Sequence, residues 1–338
     1  MGILRELDSG VVAAPMAGGA STPELAAAVG SAGGLGFLAA GYLTAAAMSE
    51  RIGRLRALTD RPFGVNVFVP DRDTADPEAL AAYRERLGPE AARLGTEPGA
   101  AVWGDDDYPA KLAALRADPV PLVSFTFGCP APGDIASLRR AGSEVVVTVT
   151  TSAEAEAAAE AGADALCVQG AEAGGHQASF EDACERTVPL ARLLADVRAR
   201  VRLPVVAAGG IGDAAQARRA LTGGAVAVQL GTALLCTPES GAARTHKDAL
   251  LRQRFDRTAV TRAFSGRRAR ALANRFVAEH GGAAPGAYPH VHHMTAPVRA
   301  AAARAGDADT LHLWAGTGFR SARERPAAEI VAGIAADL

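Results

Sequence analysis

Short apolar runs recur along the chain, each followed by a longer, alanine-rich stretch with helical spacing. The runs occupy residues 11–15, 35–40, 63–69, 122–127, 144–150, 165–169, 204–208 and 226–230. Most are nearly continuous in hydrophobicity, the pattern of strands covered on both faces. Helix signals lie between them. Thr22-Pro23-Glu24 combines an N-cap, a first-turn proline and an early acid, predicting a helix that stops at Gly33-Gly34. Ser152 opens a second helix with Gly162 as its stop, and Asp213 caps a third that ends at Gly223-Gly224. Alternating strand and helix with crossovers of this length dictate a parallel sheet with right-handed connections. Eight such units favour an α/β fold closed into a (β/α)8 TIM barrel over an open doubly wound sheet.

Two segments depart from the repeat. Residues 71–110, rich in Pro, Asp and Glu, predict a helical insertion within a barrel spanning 1–240. Residues 241–320 exceed one terminal helix and predict a C-terminal lid or substrate subdomain; 321–338 predict a terminal helix packed on the barrel. Within the lid, the arginine-rich stretch 262–275 reads as a solvated helical face. A Gly/Pro-rich break follows at 281–289, then a late helix near 297–304.

Composition sharpens this picture. The chain is 49% hydrophobic but only 5% aromatic, so its core must be built from Ala, Val and Leu, as suits helices lying close on a sheet. A net charge of −2 gives no electrostatic case for nucleic acid or an acidic membrane surface. Cys129, Cys167, Cys184 and Cys236 are far apart with no CxxC pair, and read as reduced thiols. The opening MGILRELDSG places charges where a signal peptide needs apolar residues, and Glu6 breaks the myristoylation pattern. The expectation is a soluble, cytoplasmic protein. Alanine-rich outer helices permit a homodimer, although ordinary helix packing explains them equally.

Barrel enzymes place their chemistry at the C-terminal ends of the strands, and phosphate groups in the loops after strands seven and eight. Here those loops read Ala208-Gly209-Gly210-Ile211-Gly212 and Gln229-Leu230-Gly231-Thr232. Glycine lets backbone N–H groups approach a phosphate, and two such loops at these positions predict a phosphate site. The sixth strand ends Gln169-Gly170-Ala171-Glu172-Ala173-Gly174-Gly175-His176, placing one imidazole at the rim. His176 suits a general base, or a loop histidine capping backbone groups; the pattern leaves both open. Ala14-Pro15-Met16, at the end of the first strand, permits a flat ring against the backbone, or simply a tight turn. Asn66, alone among apolar neighbours, needs a partner: a cofactor edge or a neighbouring strand. His290, His292 and His293 have no carboxylate or cysteine at matching spacing, so a lid or surface role is expected and no metal. Ser265 lacks the flanking pattern of a nucleophile elbow, and Cys167 reads as core packing.

Taken in order, these segments resemble the nitronate monooxygenases, formerly called 2-nitropropane dioxygenases. The matching segments are Ala14-Pro-Met-Ala-Gly-Gly, Ser21-Thr-Pro-Glu-Leu, Gly64-Val-Asn-Val-Phe, Val123-Ser-Phe-Thr-Phe-Gly, Gln169 to His176, Ala208-Gly-Gly-Ile, Gln229-Leu-Gly-Thr, Phe264-Ser-Gly-Arg and Leu313-Trp-Ala-Gly. The resemblance implies non-covalent FMN, with Asn66, Gln169 and Gly174 at the ring or ribityl chain. It also implies Gly210 and Gln229–Thr232 at the phosphate. His176 matches the proposed base, and Ser265 a second polar group at the substrate. The implied reaction takes a nitronate, such as propionate 3-nitronate, and O2 to a carbonyl compound and nitrite. The Gly174-Gly175-His176 form also resembles flavin-dependent enoyl and quinone reductases, which use NAD(P)H on the same barrel.

Overall fold

A computed structural model describes residues 2–183 and 187–338; Cys184 lies outside the described residues. In chain order the strands are β1 (Val11–Ala13), β2 (Gly36–Ala39), β3 (Phe63–Phe68), β4 (Leu122–Thr126), β5 (Glu144–Val149), β6 (Ala165–Gln169), β7 (Gly175–His176), β8 (Val205–Ala208), β9 (Ala227–Leu230), β10 (Thr258–Thr261) and β11 (Ala269–Leu272). Eight of them pair in parallel in the order β1-β9-β8-β6-β5-β4-β3-β2. The ring closes where Ala13 N–H donates to Leu35 O and Leu35 N–H donates to Val11 O, both at 2.9 Å. The fold is a TIM barrel, as the eight apolar runs predict.

The inner face of the barrel changes character along the strands. Leu122, Val146, Cys167 and Ala227 belong to an apolar floor that Leu4 plugs from below. Two residues further on, where the pleat returns to the same face, stand Ser124, Thr148, Gln169 and Gln229. The C-terminal mouth is therefore lined by hydrogen-bonding groups while the base is sealed. Gly64 is required in that floor, since a Cβ there would fall 2.3 Å from the Phe37 ring.

Small side chains bring the outer helices close: Ala155, Ala158 and Ala217 are fully buried against the strands. The caps lie where the sequence places them, within a residue. Thr22 accepts from Leu25 N–H at 3.0 Å and Asp213 from Gln216 N–H at 2.7 Å. At the helix Ser152–Glu160 the cap is Thr151, in a reciprocal box with Glu154, one residue before Ser152.

The connection from β3 to β4 carries two helices, Pro77–Arg93 and Tyr108–Ala117. The first packs Leu80, Tyr83 and Leu87 against Phe264, Phe276 and Val291 of the C-terminal segment. Tyr83 Oη also donates to Ala263 O at 2.6 Å. The arginine-rich stretch is not a solvated helical face. It follows β10, makes the turn and supplies β11, which pairs antiparallel with β10 and with β7, Ala269 lying opposite His176. Ala269 and Ala271 face inward, and Arg267 is only 2% exposed. Beyond the break, the late helix is longer than expected and spans His290–Ala305. A last helix, Ala327–Ala335, buries Ala327, Val331 and Ile334 in the barrel's outer core. Among the described residues no helix is long and apolar enough to cross a membrane. Cys129, Cys167 and Cys236 are free thiols, and burial pushes Cys167 up to about 12.

Candidate active site

A cavity of about 490 Å³ occupies the barrel mouth, beneath the C-terminal segment. It has the size of a cofactor or substrate site. Its floor is formed by the strand ends and their loops, and every predicted cofactor residue except Leu230 lines it. Leu230 is fully buried in the core behind the loop. Gly209 and Gly210 adopt positive φ, +118° and +70°. A Cβ on Gly210 would lie 2.9 Å from Glu172 Cβ, so a side chain would collide where the loop must pass closely. Among the described residues, no hydrogen bond of the fold is donated by the backbone N–H of Gly209, Gly210, Gly231 or Thr232. Two adjacent turns with free N–H groups, unobstructed by side chains, fit a phosphate. Thr232 Oγ1 accepts from Gly316 N–H at 2.9 Å, tying the C-terminal segment to this cradle.

The polar side chains of the mouth divide their work. Asn66 Nδ2 donates to Ser124 Oγ at 2.9 Å and Thr126 Oγ1 at 3.0 Å, so its partner is strand β4, although the residue also borders the cavity. Gln169 Nε2 donates to His176 O at 3.2 Å, and its Oε1 accepts from Ala178 N–H at 2.9 Å. Both ends of that amide hold the loop that presents His176.

His176 Nε2 lies 2.8 Å from Ser265 Oγ. Ser265 Oγ also reaches Arg267 O at 3.2 Å and accepts from Arg267 N–H at 3.3 Å. With the hydroxyl proton on the Arg267 carbonyl, Nε2 carries the ring proton and Nδ1 keeps the lone pair a base needs. Phe127, Tyr288 and Trp314 surround the imidazole, with ring centres 5.4, 5.8 and 5.5 Å away. Burial, helped by the Arg267 guanidinium, lowers His176 to about 3, so the ring is neutral near pH 7. Arg267 itself lies 4.2 Å over the Phe127 ring. Phe127 and Tyr42, both at the cavity, hold left-handed φ of 78° and 67°, a strain that packing must sustain.

The other wall belongs to the helix His290–Ala305. His292, Ala296, Arg299 and Ala303 recur at helical spacing and all face the cavity. His292 stacks on Tyr42, ring centres 4.0 Å apart, and accepts at Nδ1 from Arg299 at 3.2 Å. Among the described lining residues Arg299 carries the only full charge, and no aspartate or glutamate is present. Tyr42, His292, Arg299 and His312 escape the sequence reading as site residues. The signal available was the i, i+7 pairing of His292 with Arg299 along a helix that the Gly/Pro break obscures. His290 instead bonds Asp73 at 2.9 Å, so the three histidines do not converge on one point. The carboxylates Glu90 and Glu279 beside His280 are bridged by Arg275.

The chain is similar to known proteins along nearly its whole length. A family model described as "Nitronate monooxygenase" matches residues 7–337. A protein of Pseudomonas aeruginosa named nitronate monooxygenase is 42% identical, over 97% of this chain and 95% of its own. The crystal structure of a nitroalkane oxidase from Streptomyces ansochromogenes superposes with a TM-score of 0.95 at 56% identity, covering 97% of this chain and 95% of that one. FabK from Thermotoga maritima follows at a TM-score of 0.76 and 28% identity, covering 99% and 94%.

Proposed function

The chain belongs to the nitronate monooxygenase family, and we propose that it holds FMN in the barrel mouth and oxidises alkyl nitronates with O2. Products are a carbonyl compound and nitrite, and propionate 3-nitronate is the substrate put forward. The observation carrying this reading is the charge of the cavity. A nitronate is an anion, and the wall offers it Arg299, neutral imidazoles and no carboxylate.

FMN fits the floor: the turns at Gly209–Gly210 and Gly231–Thr232 would take its phosphate, and Ala14-Pro15-Met16, Gly174 and Gly175 would leave room for its ring. Bound there, it would supply the electron acceptor for the nitronate and the electron donor for O2. His176 meets the substrate as a neutral imidazole able to take the α-proton of a nitroalkane. The nitronate so formed is an anion beside the ring, and it stabilises the imidazolium that desolvation otherwise disfavours. Ser265 fixes the tautomer and tilt of the imidazole. Phe127, Tyr288 and Trp314 keep water from the reacting carbon. Residues 241–320 act as the lid, since the hairpin and the helix His290–Ala305 carry Ser265 and Arg299 over the mouth.

The test is FMN-loaded protein with propionate 3-nitronate in air. Oxygen uptake matched by nitrite release supports the reading, and absence of both rejects it. The likeness to FabK favours one alternative, reduction by NAD(P)H on the same barrel, which an anaerobic spectrum separates.

A further inference from the structure

Arg299 is held in an unusual way. Its guanidinium donates to Thr295 Oγ1 at 3.0 Å, His292 O at 3.0 Å, His292 Nδ1 at 3.2 Å and His312 Nε2 at 3.4 Å. Every acceptor is neutral. A cation taken this deep ordinarily has a carboxylate partner, because desolvating an unpaired charge is costly. Here no carboxylate among the described residues pairs with it, and desolvation draws the guanidinium down to about 10, still charged at neutral pH. Both histidines are locked as acceptors by the arginine and stay neutral, held down by burial and its charge. They orient the fork without cancelling it. Ala296, Ala300 and Ala303, on the same helix face, leave Arg299 uncovered toward the cavity. His312 and His176 both pack on Trp314, 5.6 and 5.5 Å from its ring centre, so Arg299 and the proposed base border one cavity on either side of a shared aromatic neighbour.

We propose that Arg299, oriented by His292 and His312, is an anion subsite that receives a carboxylate at the far end of the substrate and makes the enzyme selective for nitronates bearing one. This rests on the nitronate reading for its chemistry, but the subsite itself is a matter of charge and shape. A planar carboxylate matches the guanidinium fork, and it supplies the counter-ion that the fold withholds.

Three measurements test it. In the unmodified, FMN-loaded enzyme, the KM for propionate 3-nitronate should lie at least about tenfold below that for propyl nitronate, which has no carboxylate. Equal values overturn the proposal, whatever any variant does. Arg299→Met should then weaken both nitronates, since each is an anion, but raise the KM for propionate 3-nitronate at least about tenfold more than that for propyl nitronate; Arg299→Lys should fall between. Equal losses on both substrates would mean a structural role and also overturn it. Binding is read separately by titrating propionate into the FMN-loaded enzyme and following the flavin absorbance. A saturable change in the unmodified protein, absent in Arg299→Met, with no nitronate turnover, would sink the activity reading and leave the subsite standing. Turnover without carboxylate preference would do the reverse.

Discussion

Lowering the pH from about 8 to about 5 is expected to weaken the fold sharply, because the cavity wall keeps several imidazoles neutral by burial. His176 is drawn down to about 3, His246 to about 4 and His292 to about 2, each chiefly by desolvation from an ordinary 6.5. A group with a depressed folded value contributes its full stability above 6.5 and loses it as the pH falls toward the folded value, since the unfolded chain takes the proton first. At about pH 5 the unfolded imidazole is nearly all protonated and the folded one is not, a difference of about 2 kcal/mol per histidine. Three such groups give about 6 kcal/mol at most, comparable with the whole stability of many domains. Glu90, Asp73 and Asp307, held below the ordinary carboxylate range by Arg275, His290 and Arg93, lose their contribution only at lower pH. The assay is urea unfolding of the FMN-loaded protein at pH 8, 6.5 and 5, with His292→Gln as a control that should remove about a third of the drop. A midpoint that stays level or rises on acidification would refute the neutral-imidazole account.

His176→Asn should lower kcat/KM for neutral nitroalkanes by about 10²–10⁴-fold while costing preformed nitronates about tenfold or less; equal losses in steady-state kinetics would remove the base role. Gly210→Ala forces a side chain into a left-handed turn 2.9 Å from Glu172 Cβ, so the Kd for FMN, read by flavin fluorescence quenching, should rise at least about tenfold. Tyr83→Phe deletes a donor to the buried Ala263 carbonyl and should cost about 1–2 kcal/mol in urea unfolding without changing kcat, because the bond ties the insertion to the C-terminal segment away from the cavity.

The barrel was legible because each strand is buried on both faces and each early helix carries its own cap. The nearly continuous apolar run of β3 and the N-cap at Thr22 are local facts that tertiary structure does not override. The glycine cradle was legible for the same reason: positive φ at Gly209 and Gly210 demands that residue type. The lid was not. β10 and β11 are four residues each, and β11 is held on its other edge by β7, some ninety positions earlier; the arginines around β11 hid its alternation. Arg299 was missed because a single arginine in a helix usually faces solvent, and only the fold turns this one inward. Asn66 and Gln169 read as cofactor ligands in sequence; both border the cavity, and their amides also hold neighbouring chain segments, which no local pattern shows.

The most direct test of the central claim, a flavin beside a neutral His176 in an acid-free cavity, is one anaerobic spectrum. Propionate 3-nitronate should bleach or reshape the absorbance of the bound FMN within mixing time, whereas NADH and NADPH should leave it unchanged over minutes. A flavin indifferent to the nitronate but bleached rapidly by a nicotinamide would contradict the account and assign the barrel to reductase chemistry.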